Sequence, residues 1–277
     1  MHQASLILAT DKTTASVYTA AYPFIAKKIK IVPTGIDRTF FSDQTSPAHP
    51  PPPFLGRGSG GGVHLIYIGR LAPPKQINEM LNAFKTLITE QAPPPLLQER
   101  GPGGEVKWSS GGEVEKNPGG EVEKNPGGGV HFTLAGTGPL LPALQRTVVE
   151  MGLEHHVTFA GVLSKEQVRD LICNSDAAIL LSAHEGSPIS VKEVLACGKP
   201  AIVNDVGDLA EYVIPGRNGY IVDPANSREV ATAIEKACAN AHTMRDACIT
   251  SMEPYDEGVV NAMIVKQIFS LHTMTTI

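Results

Sequence analysis

Short runs rich in valine, isoleucine and leucine alternate along this chain with segments of helical periodicity, and that alternation restricts the fold more than any other feature. Strands that read as near-continuous apolar runs are buried on both faces, and the helices between them supply the cover. The pattern therefore specifies an α/β fold with a Rossmann-like, doubly wound parallel sheet. Strands are expected near ASLILAT (4–10), KIKIVP (28–33), HLIYIG (64–69), VHFTLAG (130–136), HVTFAG (156–161), AAILLS (177–182), PAIVND (200–205) and GYIVDP (219–224). Helices are expected over 78–90, 139–151, 165–174, 187–198, 206–214 and 227–239. Sheet order is not readable from these runs, but doubly wound folds hold ligands at the carboxyl ends of their strands.

Two segments break the pattern. Residues 46–62 and 93–129 are dominated by proline and glycine, and the second carries EVEKNPGG twice in tandem. Neither can bury a core, so both are expected to be disordered surface loops. Lengthening a connection from about five residues to nearly forty adds only roughly 2 kcal/mol of closure entropy, which a domain of this size absorbs.

Composition excludes several classes. Of 277 residues 42% are hydrophobic and 18% charged, enough for one substantial core or two small ones. A net charge of −5 argues against a nucleic-acid partner. No apolar run approaches the roughly 18 residues of a membrane span, and no leader pattern opens the chain. Cys173, Cys197, Cys238 and Cys248 lie far apart without metal or redox spacing, which fits small core residues in a reducing cytoplasm.

The candidate chemistry centres on Glu185 and Glu193, a Glu-x7-Glu pair that begins at the turn Gly186-Ser187-Pro188 and runs through Ile189 into a helix. A turn opening a helix leaves backbone N–H groups without intrahelical partners, and with the helix dipole these form an anion site. Carboxylates on either side of that anion accept charge-assisted hydrogen bonds from hydroxyls. Hydroxyls, phosphate and more hydroxyls describe a nucleotide sugar. Two glutamates at this spacing also occur as solvated charges on an exposed helix face, and the residues alone leave both readings open. The same holds for Gly69, Arg70 and Lys75 after the strand HLIYI: a fork and a point charge suited to a diphosphate, or an ordinary turn with exposed cations. Gly136, Thr137 and Gly138 form half of a dinucleotide fingerprint, lacking the third glycine and the ribose carboxylate.

The stretch EGSPISVKEVLACGKPAIVNDVGDLAEYVIPGRNGYIVDP resembles the signature of retaining glycosyltransferases of family four, whose GT-B fold pairs two Rossmann-like domains. The resemblance covers roughly residues 4–45, 63–92 and 130–270. It implies that Glu185 meets the donor sugar and Glu193 the ribose, that Arg70 and Lys75 contact the diphosphate, and that Gly136-Thr137-Gly138 shapes the donor cleft. By the same resemblance Gly161 and Val162 border the nucleotide base, and the amides from Gly186 to Ile189 meet phosphate and sugar. The family places glycine after the lysine, where this chain has Gln76, so Lys75 is less secured than Arg70. No Asp-x-Asp occurs, so the resemblance implies transfer without a metal, and no cofactor.

VPTGIDRTFF is similar to the family's interdomain linker, with Thr34 where asparagine is usual. The expected organisation is a remnant of the acceptor domain over 1–32, the linker over 33–45, a nucleotide-sugar-binding domain over 63–254 and a crossing helix over 255–277. On this reading the chain is one half of a GT-B fold, and a separately encoded acceptor domain would complete it. The implied partners are a nucleotide-diphosphate sugar and a glycan, lipid or small acceptor, in the cytoplasm or at the inner membrane face. The alternatives are a nucleotide-sugar-binding fragment without transfer, and a nicotinamide-dependent oxidoreductase, which would need the missing third glycine.

Overall fold

The computed structural model describes residues 4–42, 63–91 and 129–274. The proline- and glycine-rich segments 46–62 and, but for Gly129, 93–129 lie outside the described residues, and so does the expectation about their order.

All eight strands fall where the apolar runs put them. β1 (Ile7–Ala9) and β2 (Ile29–Ile31) pair parallel in a two-stranded sheet. β3 (His64–Ile68), β4 (His131–Ala135), β5 (Val157–Gly161), β6 (Ala177–Leu180), β7 (Ala201–Val203) and β8 (Gly219–Ile221) form one all-parallel sheet in the order β5-β4-β3-β6-β7-β8. Leu65, Ile66, Phe132, Leu134, Ile202 and Val203 are fully buried, as strands covered on both faces require. The chain winds outward from β3 through β4 to β5, then returns beside β3 and winds the other way. The strand order therefore reverses between β3 and β6, and it is at the carboxyl ends of the strands beside such a switch point that doubly wound sheets hold ligands.

The helices cover this sheet. α1 (Lys12–Ala21) starts at Asp11, whose carboxylate accepts the Thr14 N–H at 2.6 Å. A short α2 (Arg38–Ser42) falls within the 33–45 segment. α3 (Ile77–Gln91), α4 (Leu141–Glu150), α5 (Lys165–Cys173), α6 (Ile189–Ala196) and α7 (Leu209–Tyr212) follow β3 to β7 in turn, α5 behind a Ser164/Gln167 capping box. α8 (Ser227–Ser251) runs twelve residues beyond the expected end at 239. Its buried stripe of Val230, Ile234 and Ala237 resumes at Met244 and Cys248 after the polar stretch Asn240–Thr243. α9 (Glu257–Met274) begins tied to Ile36, with the Glu257 N–H donating to the Ile36 carbonyl and the Ile36 N–H to that of Tyr255, both at 2.9 Å.

Candidate functional site

The loops leaving β3, β4, β5 and β6 are stitched together by main-chain hydrogen bonds, and this stitching assembles the site. Gly136 donates to the Gly161 carbonyl at 2.7 Å, Gly69 to that of Ala135 at 3.0 Å and Leu71 to that of Thr137 at 3.0 Å. Gly136 has φ of +136°, and a Cβ there would lie 1.9 Å from the Gly69 carbonyl oxygen; one on Gly138 would lie 2.2 Å from that of Leu71. These two glycines let the loop after β4 press its main chain against the main chain of the loop that carries Arg70.

The β3 loop is clamped to β6 in turn. The Gln76 N–H donates to Leu181 O at 3.0 Å and the Ala183 N–H to Pro74 O at 2.7 Å, so Lys75 and Ser182 form an antiparallel bridge. Asn204 secures the other side: its side chain accepts the Ser182 N–H at 2.9 Å and donates to the Ser182 carbonyl at 2.8 Å. The paired prolines Pro73 and Pro74 thus deliver Lys75 to Glu185, and the two form an ion pair with side chains 19% and 9% exposed. Tyr67 lies beneath, its hydroxyl donating to the Arg70 carbonyl at 2.9 Å; burial and then the Glu185 charge push its pKa up. Arg70 itself is exposed at the rim.

α6 begins at Ile189 with Pro188 as its cap residue and no side-chain capping bond, so its first amides depend on outside acceptors. Gly207 packs against this turn with φ of +60°, where a Cβ would meet the Glu185 carbonyl oxygen at 2.3 Å. The Asp208 N–H donates to the Gly186 carbonyl at 3.2 Å. Glu193 sits one turn into α6, partly buried; burial raises its pKa against the opposing charge of Lys165. Gly161 and the exposed Val162 close the β5 side, and Thr137 is exposed at the β4 turn. The sequence candidates are thus gathered at the carboxyl end of one sheet. Arg70, Lys75 and Glu185 flank the switch point, and Gly161–Val162 lies at its far side.

Several residues at the site went unread in the sequence. Asn204 and Ser182 clamp the loops, and Asp208 and Tyr212 brace the turn: Ser187 Oγ lies 2.8 Å from the Tyr212 hydroxyl, which donates to Asp208 at 3.3 Å. Lys192 is fully buried beside them, and its signal was a lysine inside the apolar run Val191, Val194, Leu195. Among the described residues no cluster of three or more His, Cys, Asp or Glu side chains could hold a metal ion, and no helix is long and apolar enough to cross a membrane.

Loops gathered at the switch point of an α/β domain are where such folds hold ligands, and comparisons with known proteins narrow the class. Residues 121–252 match the family model described as Glycosyl transferases group 1. The chain is 30% identical over 105 residues to the alpha-D-kanosaminyltransferase of Streptomyces kanamyceticus, a match covering 38% of this chain and 27% of that protein. It is 24% identical over 240 residues to the mannosylfructose-phosphate synthase of Agrobacterium fabrum, covering 83% of this chain and 44% of the relative. The solved structure of Anabaena HepE in complex with UDP-glucose superposes with a TM-score of 0.70 at 20% identity, covering 96% of this chain and 64% of that one. The chain thus spans less than two thirds of each of these relatives. The fold is the α/β fold of GT-B glycosyltransferase structures, and the matches together support a glycosyl transferase group 1 domain.

Proposed function

We propose that this chain binds a nucleoside-diphosphate sugar in the crevice between β3 and β6 and serves as the donor-binding half of a retaining, metal-independent glycosyltransferase of family four. The observation that carries this reading is the convergence of Arg70, Lys75, Glu185 and the start of α6 on one switch point. Arg70 and Lys75 hold the diphosphate, with Lys75 sharing its charge between the ligand and Glu185. The amides from Gly186 to Ile189 take phosphate and sugar oxygens, Glu185 accepts hydrogen bonds from the sugar, and Glu193 accepts them from the ribose. Gly69 and Gly136-Thr137-Gly138 shape the cleft, and Gly161 and Val162 border the base. The complexes of HepE with UDP and UDP-glucose favour a uridine nucleotide among the donors to test first.

In the transfer, the bond between the anomeric carbon and the diphosphate oxygen breaks with its electron pair going to that oxygen, as an acceptor hydroxyl bonds to the carbon and passes its proton to the departing diphosphate. The leaving diphosphate gathers negative charge. Two cations and a helix N-terminus, with Lys75 held in place by its pairing with Glu185, stabilise it. The acceptor, a hydroxyl of a glycan, lipid or small molecule, must be oriented by an acceptor-binding half, in the same polypeptide or a separate one, since orientation supplies many kcal/mol of the barrier.

Titration calorimetry with UDP-, GDP- and ADP-sugars, followed by transfer assays with and without an acceptor half, tests the proposal. Saturable binding of one donor class, with transfer appearing when the acceptor half is present, is the expected result. Binding without transfer under both conditions leaves a nucleotide-sugar-binding module. No binding of any donor removes the reading altogether.

A further inference from the structure

Lys192 occupies an unusual place for a lysine. Its side chain is fully buried on α6, with Nζ donating to the Thr34 carbonyl at 2.7 Å and to Ser187 Oγ at 2.9 Å. The same ammonium lies 4.8 Å from the ring centre of Tyr212 and 4.7 Å from that of Tyr255. Among the described residues no carboxylate stands within ion-pair distance of it. A buried cation held only by a carbonyl, a hydroxyl and two ring faces is costly, and an apolar side chain would fill the space at less expense. The contacts indicate what the charge does. Ser187 belongs to the Gly-Ser-Pro turn and Thr34 to the linker, so one ammonium group fixes the turn against the linker from beneath.

We propose that Lys192 is a positioning residue for the donor site: through Ser187 it holds the Gly186–Ile189 amides toward the crevice and lays a positive charge under the anion they receive. This rests on the donor-binding reading above and adds a residue which neither the Glu-x7-Glu pair nor the Arg70–Lys75 pair includes. The groups that face the ammonium are Ser187 from the turn, the Thr34 carbonyl from the linker, Tyr212 with Asp208 from the α7 side, and Tyr255 at the entry to α9. Lys12 and Glu211 pair with each other at the outer rim. Burial, opposed only by Asp208, depresses the ammonium's pKa to about 8. A bound diphosphate stabilises the charged form, so affinity falls as pH rises through that value.

Binding of UDP, GDP and ADP to the wild type, Lys192→Met and Ser187→Ala, measured by calorimetry from pH 6.5 to 9.5, tests the inference, with thermal melting as the check on folding. The wild type is expected to lose roughly tenfold in affinity above pH 8, beyond the change in the free nucleotide's own ionisation. Lys192→Met is expected to bind at least about fivefold more weakly at pH 7 and to lack that decline. Ser187→Ala keeps the cation but cuts its link to the turn, and should weaken binding with a shallower decline. Should Lys192→Met not fold, the wild-type profile and Ser187→Ala decide the matter. Variants that bind like the wild type with the same pH profile overturn the positioning role and leave the donor site standing. A wild type that binds none of the three nucleotides overturns both.

Discussion

The Lys75–Glu185 pair makes a prediction that separates structure from chemistry. At an effective dielectric near 20, unit charges about 4 Å apart attract by roughly 4 kcal/mol, and desolvation of both ends offsets much of this. With side chains 19% and 9% exposed, the pair lies between surface ion pairs and fully buried ones, so a net coupling of about 1–2 kcal/mol is expected. Lys75→Met strands a largely buried carboxylate and should destabilise by about 2–3 kcal/mol. Glu185→Gln keeps an acceptor for the lysine and should cost about 1 kcal/mol, and the double variant less than the sum. Urea denaturation of the four proteins measures the cycle, and each kcal/mol corresponds to about 2–4 °C in Tm for a domain of this size. Ligand binding carries the second arm. Glu185→Gln frees Lys75 for a diphosphate, so UDP should bind as tightly as to the wild type or a few-fold tighter, while a UDP-sugar loses its advantage over UDP. Stabilities that add within about 0.3–0.5 kcal/mol would refute the coupling. Equal weakening of UDP and UDP-sugar would refute the role of Glu185 toward the sugar.

Three further outcomes follow from the same structure. Glu193→Ala should weaken nucleotide-sugar binding by about 1.5–3 kcal/mol, roughly ten- to a hundredfold, by calorimetry; because burial raises the pKa of this carboxyl, wild-type affinity should also fall on acidification from above pH 4.5, and Glu193→Gln should flatten that fall. Gly136→Ala places a Cβ 1.9 Å from the Gly69 carbonyl oxygen, so loss of at least about 2 kcal/mol of stability, with weaker donor binding, is expected in urea titrations. His131 is partly buried beside the ring of His64, and burial first, then the charges of His64 and His156, depress its pKa to about 4 from 6.5. The folded protein therefore resists a proton that the unfolded chain accepts. Stability present above pH 6.5 is lost progressively toward pH 4, by about 1–2 kcal/mol after discounting for partial exposure, and His131→Gln should reduce that loss in acid melts.

How far the sequence carried the structure depended on whether the signal was local. Every strand was legible because a strand buried on both faces needs an unbroken apolar run, as in HLIYI and AAILL. The strand order was not, since it arises from pairings such as Leu65 with Ala177, more than a hundred residues apart. The second half of α8 was missed because the apolar stripe lapses between Ala237 and Met244, although the spacing from Met244 to Cys248 keeps helical phase. Arg70, Lys75 and Glu185 were readable as loop residues after strands, but the clamp that joins them runs through Pro74, Ser182 and Asn204, whose roles exist only once β3, β6 and β7 lie side by side. Lys192 is hidden for a related reason: a lysine in a helix reads as solvated until the Thr34 carbonyl and two tyrosines are seen to enclose it.

Amide chemical-shift mapping of the protein titrated with UDP reads out where on the domain the nucleotide binds. Saturable shifts at Gly69–Lys75, Gly136–Gly138 and Glu185–Ser190 are expected, with none at the 380 Å³ groove between β8 and α8 lined by Tyr220, Val222, Arg228 and Lys236. Shifts confined to that groove, or absent from the crevice at saturating nucleotide, would contradict the proposed donor site.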